Sequence, residues 1–237
     1  LVELHDSHTH AHRPERTELI AARANEKIPG RDRTRADVEV LPDGVVYLRF
    51  DYFDRERIAW LERELKKHAQ APGVIIDLRH NTGGLIVSAQ RAVGLFFKKR
   101  VAMGVVRERN GRQTTERSRG AGRYFGPMAV LVGPDSHSSA EVFAYVMQEH
   151  GRAIVLGRTT AGEVLGSRRF RLPDGGHLQL SISDYHRLDG KRIEGEGVQP
   201  DVVVTTIASR GDGMLAQDPA LVSAVQVLGG KQAVAMR

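Results

Sequence analysis

Two short segments of the chain combine residue types that could carry out acyl transfer. The first, His137-Ser138-Ser139-Ala140-Glu141-Val142-Phe143, follows the wholly apolar run Met128 to Val132 and a Gly133-Pro134-Asp135 turn. A serine where a buried strand meets a helix start lies beside free backbone N–H groups and the positive end of the helix dipole. Its hydroxyl can attack a carbonyl while the next N–H binds the resulting oxyanion. The same place is also where helix-capping serines sit, and this segment alone does not separate the two roles. The second segment, Asp77-Leu78-Arg79-His80-Asn81-Thr82-Gly83-Gly84, follows the apolar run Val74 to Ile76. Its two glycines let backbone come close to a ligand, so the Gly83 and Gly84 N–H groups could complete an oxyanion hole. A tight strand-to-helix turn would need the same glycines.

These segments require particular elements around them. Pro42-Asp43-Gly44 introduces a strand over Val45 to Phe50. Asp54 can cap a helix reaching about Gln70, with Ile58, Leu61, Leu65 and Ala69 on one face. Val74 to Leu78 reads as a buried strand, Ile86 to Phe97 as a helix, and Met128 to Val132 as a central parallel strand. Ser139 to His150 is a third helix, stopped by Gly151, and Ala153 to Leu156 a further strand. A hairpin turns at Asp174-Gly175, and a last helix lies near Pro219 to Leu228. A short helix fits residues 16–27. Strands alternate with helices over crossovers long enough for right-handed βαβ units, so the fold class is α/β with an antiparallel hairpin near the end.

Composition sets outer limits. The 237 residues suffice for one large domain with a small appendage. No apolar run approaches a membrane span, so stable membrane insertion is not expected. The absence of cysteine excludes disulfides, thiolate metal sites and a cysteine nucleophile. The net charge of +6 raises the question of nucleic acid, and nine basic residues fall between Lys98 and Arg123. No helix-turn-helix, zinc-finger or RNP pattern accompanies them. The cluster reads as a solvated loop or strand edge, so no nucleic-acid partner is expected, an acidic or nucleic-acid partner being the other reading. The oligomeric state is not legible. The opening at Leu1 has no signal-peptide pattern and carries no information on compartment.

Together the two segments resemble the carboxy-terminal-processing, or tail-specific, protease superfamily (the S41 serine peptidases), in its tricorn-like and retinoid-binding-protein-like branch. Six ordered motifs carry the resemblance: Asp77 to Gly84, Ser138 to Glu141, Gly151-Arg152-Ala153, Gly157 to Gly162, Leu172 to Gly175, and Gly195 to Asp201. It implies a crotonase/ClpP-like core of ββα units with an added antiparallel hairpin. The implied divisions are an N-terminal segment, 1–40, that contributes the base, a catalytic core, 41–207, and a C-terminal helix and tail, 208–237. It also implies that Ser138, three residues before Glu141, is the nucleophile, with N–H groups of Ser139 and of Gly83 or Gly84 as the oxyanion hole.

The base departs from the commonest family pattern. The lysine of a serine–lysine dyad would follow Thr-x-Gly, and Glu163 stands there, with no lysine between Arg100 and Lys191. The segment Asp6-Ser7-His8-Thr9-His10 resembles the Ser-His segment of the tricorn-like branch. That likeness makes His8 the general base, Ser7 its supporting neighbour and Glu194 the distant carboxylate, with Glu163 and Glu196 as alternatives. Imidazole, with an ordinary pKa of about 6.5, can take the serine proton at neutral pH. The expected activity is a serine endopeptidase acting on proteins or peptides, with no metal and no organic cofactor. Two rivals differ in class. One is an inactive member of the same fold that binds a peptide or an apolar ligand. The other is a metal-dependent amidohydrolase holding zinc on His8 and His10, with His5 and His12 nearby. The second needs a barrel of eight βα units, for which the chain is short. About thirty-five residues separate His8 from Val45, too few for the PDZ domain that most tail-specific proteases carry there. The resemblance suggests an extracytoplasmic bacterial enzyme, periplasmic or secreted, and also permits a cytoplasmic one.

Overall fold

The computed structural model describes residues 36–120, 122–205 and 218–235. His8, Ser7, His10 and the helix expected over 16–27 lie outside the described residues.

The described residues begin with an antiparallel pair, β1 (Ala36–Val40) and β2 (Val46–Phe50), joined by the expected turn. Helix α1 (Arg55–Lys67) follows. Asp54 caps it by accepting the Arg57 N–H at 2.8 Å, and it buries Ile58, Leu61 and Leu65. The helix ends at Lys67, short of Gln70, because His68 leaves helical geometry. Then come β3 (Val74–Asp77), α2 (Ile86–Gly94), β4 (Ala102–Glu108), β5 (Gln113–Arg117), β6 (Met128–Val132), α3 (Ser139–Glu149) and β7 (Ile154–Gly157). A long hairpin of β8 (Gly166–Arg171) and β9 (His177–His186) precedes a short β10 (Val202–Val203) and α4 (Pro219–Ala235).

Two sheets result. The larger has six strands in the order β1-β2-β3-β6-β7-β10, parallel from β2 onward. Its central runs, Val74 to Ile76 in β3 and Met128 to Val132 in β6, are apolar without interruption because both faces are covered, while edge strand β1 is largely exposed. Val74, Ile76, Met128, Val130 and Val132 point into one core with Phe53, Phe96 and Phe143. Ile75, Ala129 and Leu131 point the other way onto Leu221, Ala224 and Leu228 of α4. This alternation is the two-residue period of a strand, filled with hydrocarbon on both sides. The core aromatics pack edge-on, with ring centroids 5.0 Å apart for Phe50 and Phe53 and 5.9 Å for Phe96 and Phe143.

The smaller sheet is antiparallel, in the order β5-β4-β9-β8. Only its β8–β9 half was legible as a hairpin. The β4–β5 half holds part of the basic cluster, and its polar, exposed β5 lacks a clear alternating signal.

Candidate active site

Adjacent parallel strands β3 and β6 both end in corners, with Asp77 in register with Leu131, so the two motif segments come side by side. Three hydrogen bonds tie the corners together. The His137 N–H donates to the Asn81 carbonyl (3.0 Å), the Ser136 hydroxyl to the Leu78 carbonyl (2.7 Å), and the Ser139 hydroxyl to the Gly84 carbonyl (2.9 Å).

Ser138 stands at the tip of the β6 corner with φ 53° and ψ −117°. Among the described residues no other non-glycine residue has positive φ. Ser138 and Glu141 form a capping box at the start of α3, but an ordinary cap is extended with negative φ, so capping alone does not account for this backbone. Such a backbone costs about 1–3 kcal/mol and persists only where surroundings hold it. Here the hold is the Ser138 N–H donating to the Glu141 carboxylate at 2.9 Å.

Glu141 is fully buried. Besides Ser138, it receives the Thr160 hydroxyl (2.6 Å), the Gly162 N–H (2.7 Å) and the Glu163 N–H (2.9 Å). Four donors offset the desolvation of a buried carboxylate, and its place in the first turn of α3 meets the helix dipole favourably. The Thr160 hydroxyl in turn accepts the Val198 N–H at 2.7 Å. The loop carrying Thr160, Gly162 and Glu163 is thus built around the group that fixes Ser138. Glu141 entered the sequence reading only as a landmark for counting. The signal that could have marked it is a carboxylate alone among the apolar residues that follow it on the helix.

The β3 corner is held by side chains. Asn81, also fully buried, donates to the Phe50 carbonyl and accepts the Gly83 N–H, both at 2.9 Å. Gly83 has φ 87°, and a Cβ there would lie 2.6 Å from Ser138 Cβ. Only glycine lets the two corners approach this closely. Of the two glycines, Gly83 spends its N–H on Asn81. The Gly84 N–H, like that of Ser139, has no partner among the described residues.

Before this corner, Asp77 accepts the Tyr47 hydroxyl (2.7 Å) and a two-pronged contact from Arg79, with Nη2 at 2.6 Å from Oδ2. Arg79 Nη2 also reaches Asp218 Oδ2 at 2.6 Å, and Asp218 caps α4 through the Ala220 N–H. Burial alone would push the Asp77 carboxyl up, but the Arg79 guanidinium outweighs it and holds the group below the usual carboxylate range. Burial and the Asp77 carboxylate together push the Tyr47 phenol far up, keeping it a neutral donor. Asp77 and Arg79 therefore brace the corner and α4.

Glu194 Oε2 accepts the N–H groups of Val164 (2.7 Å) and Leu165 (3.2 Å), while Oε1 has no partner among the described residues. Glu163 is exposed, with its carboxylate 3.1 Å from His137 Nδ1. Glu196 is exposed, and its backbone closes a turn onto Ile193. The structure thus brings Ser138, Ser139, Gly83 and Gly84 together. It ties Glu194 to the same loop through backbone, and leaves Glu163 and Glu196 on the surface. No group of three or more His, Asp or Glu suited to a metal occurs among the described residues.

Residues 44–204 match the model of peptidase family S41. The chain belongs to that family. It is 29% identical over 163 residues to the carboxyl-terminal-processing protease of Synechocystis sp., covering 68% of this chain and 38% of that protein. To the carboxy-terminal processing protease CtpA of Bacillus subtilis it is 30% identical over 132 residues, covering 56% of this chain and 28% of the other. The chain therefore spans about two fifths or less of these relatives. Among solved structures, the photosystem II D1 C-terminal processing protease superposes with a TM-score of 0.63 at 23% identity, over 68% of this chain and 42% of that one. The tricorn protease does so with 0.59 at 22% identity, over 78% and 17%. These likenesses establish the α/β fold of S41 peptidases and not a (βα)₈ barrel, which removes the amidohydrolase reading.

Proposed function

We propose that this chain is the catalytic core of a serine endopeptidase with Ser138 as nucleophile. One observation carries the proposal: a serine, not a glycine, occupies the left-handed corner against Gly83, with its N–H pinned by buried Glu141. Strain of that kind is retained where it presents a side chain for chemistry.

In this mechanism a peptide carbonyl lies over Ser138 with its oxygen between the N–H groups of Ser139 and Gly84. Ser138 Oγ attacks the carbonyl carbon while His8 takes the hydroxyl proton. The negative charge on oxygen is met by two fixed dipoles, each typically worth a factor of about 10²–10³ in rate. His8 then protonates the leaving amine, the C–N bond breaks, and an acyl-enzyme remains. Water, deprotonated by His8, hydrolyses it and frees Ser138. Ser7 and Glu194 hold His8 in the tautomer that accepts at the serine. The unengaged Glu194 Oε1 supports that assignment. Glu163 cannot serve as base in the manner of the family lysine, since it is exposed and paired with His137.

The substrates are proteins or peptides, as in the rest of the family. Among the described residues no helix is long and apolar enough to cross a membrane. The two named sequence relatives are bacterial processing proteases, and we assign this chain to work outside the cytoplasm, periplasmic or secreted.

The test is intact-mass labelling with a fluorophosphonate on the parent chain, Ser138→Ala and His8→Ala, with and without chelator. One adduct per chain on the parent, lost in both variants and indifferent to chelator, is the expected result. A folded parent that takes no label would overturn it in favour of a binding protein of the same fold.

A further inference from the structure

The β8–β9 ribbon has features that the cleavage chemistry does not use. Strand β8 is the outer strand of its sheet, so one row of its backbone N–H and C=O groups has no strand partner among the described residues. Every residue of β8 is exposed, as is β9 from His177 to Ile182. An open, uncovered edge is a template for another extended chain.

The ladder sorts the ribbon's side chains into two unlike faces. Phe170 lies opposite Leu178 and Arg168 opposite Leu180, with Ile182 next along the same face. The four apolar residues there are about 40% exposed, an unusual amount of hydrocarbon for a free surface. The one cation of this face, Arg168, lies over the Phe170 ring with its guanidinium 5.5 Å from the centroid. On the other face Arg169 lies opposite Gln179 and Arg171 opposite His177. Neither Arg169 nor Arg171 forms an ion pair with any described residue. The single carboxylate between Gly166 and Ser183 is Asp174 at the tip, which accepts the Gly176 N–H.

The ribbon also starts in the right place. Gly166 directly follows Glu163, Val164 and Leu165, whose N–H groups are fixed by Glu141 and Glu194. Six residues of β8 extend about 20 Å from that point.

We propose that the β8 edge is a docking rail for the protein being cleaved. An extended segment of alternating acidic and apolar residues adds to β8 as a further strand. Its carboxylates lie beside Arg169 and Arg171, its apolar side chains beside Phe170, and the residues leading away from it reach Ser138. The period of two follows from the period of β8 itself, since a strand in register presents alternate side chains to alternate faces. This inference rests on the serine-peptidase reading for its occupant.

The test uses the full chain carrying Ser138→Ala, so that peptide is bound and not consumed. Fluorescence anisotropy would compare three labelled peptides: one alternating glutamate and valine, one with the same residues in two blocks, and the alternating one N-methylated at every second amide. The alternating peptide should bind about tenfold more tightly than the blocked one. N-methylation, or the pair Arg169→Glu and Arg171→Glu, should abolish that preference, and Arg169→Lys with Arg171→Lys should largely keep it. Urea unfolding of each variant reports whether the fold is intact. Equal binding of alternating and blocked peptides, or full binding by the glutamate variant, would overturn the proposal. So would tighter binding of a single-stranded oligonucleotide than of the alternating peptide, which would make the ribbon a polyanion site. Fluorophosphonate labelling of the parent chain separates the two ideas. Absent labelling with retained peptide preference sinks the peptidase reading and leaves β8 a peptide-binding edge whose occupant is not a substrate. Retained labelling without preference sinks the rail alone.

Discussion

The corners at the ends of β3 and β6 are neighbours with the same task, turning a buried strand into a helix, and they solve it with different residues. The β3 corner puts glycines at φ 87° and 138°, where glycine is unstrained. The β6 corner puts Ser138 at φ 53°, where a side chain is strained. One corner is held by a buried amide, Asn81, and the other by a buried carboxylate, Glu141. Backbone alone would be served by glycine in both places. A serine in the second marks where a side chain is needed, and the glycine opposite gives it room.

The largest effect expected from breaking this pairing is at Ser138. Ser138→Ala should lower peptide hydrolysis by about 10³-fold or more, read as kcat on any peptide the parent cleaves. Ser138→Gly should be equally inactive yet more stable than the parent, by about 1 kcal/mol in urea unfolding, because the left-handed strain is relieved. A glycine variant less stable than the parent would contradict the strain account.

Gly83→Ala attacks the same contact from the other side. Its Cβ would meet Ser138 Cβ at 2.6 Å in a backbone conformation that alanine avoids. Activity should fall about 10²-fold and stability by about 1–3 kcal/mol. Glu141→Gln should resemble it, since an amide offers one acceptor oxygen to donors that now share two.

The brace beneath the β3 corner should appear as a pH dependence of stability. Asp77 in the folded chain lies below the usual carboxylate range, so its contribution is complete above about pH 4 and lost as pH falls through the lowered value. Urea midpoints between pH 7 and pH 2 should decline across that window. Asp77→Asn should flatten the decline while lowering stability at pH 7 by about 3 kcal/mol, since Arg79 loses a buried partner. The smallest effect belongs to the exposed pair of His137 and Glu163. Glu163→Gln should change stability by less than about 1 kcal/mol and activity only a few fold.

Much of the larger sheet was legible in the chain. The short uninterrupted apolar runs at Val74–Ile76 and Met128–Val132 read as strands covered on both faces, and Asp54 marked the start of α1 because its side chain meets the Arg57 N–H within one turn. Signals of that kind are local and survive in one dimension. Strand β5, with Gln113, Thr114 and Thr115 exposed, escaped notice because its partner β4 decides its conformation and not its own side chains.

The site divides in the same way. The sequence by itself determined the fold class and the family resemblance, since order and spacing of motifs are one-dimensional facts, and the proposal of Ser138 as nucleophile began from that resemblance. Only the tertiary structure decided that Gly83 spends its N–H on Asn81, that Glu141 gathers donors from Ser138, Thr160, Gly162 and Glu163, and that Asp77 and Arg79 brace a helix more than a hundred residues away. Those outcomes depend on which buried polar group finds which partner. That is fixed by the three-dimensional requirement that buried donors and acceptors be satisfied, and no local pattern in a chain records it.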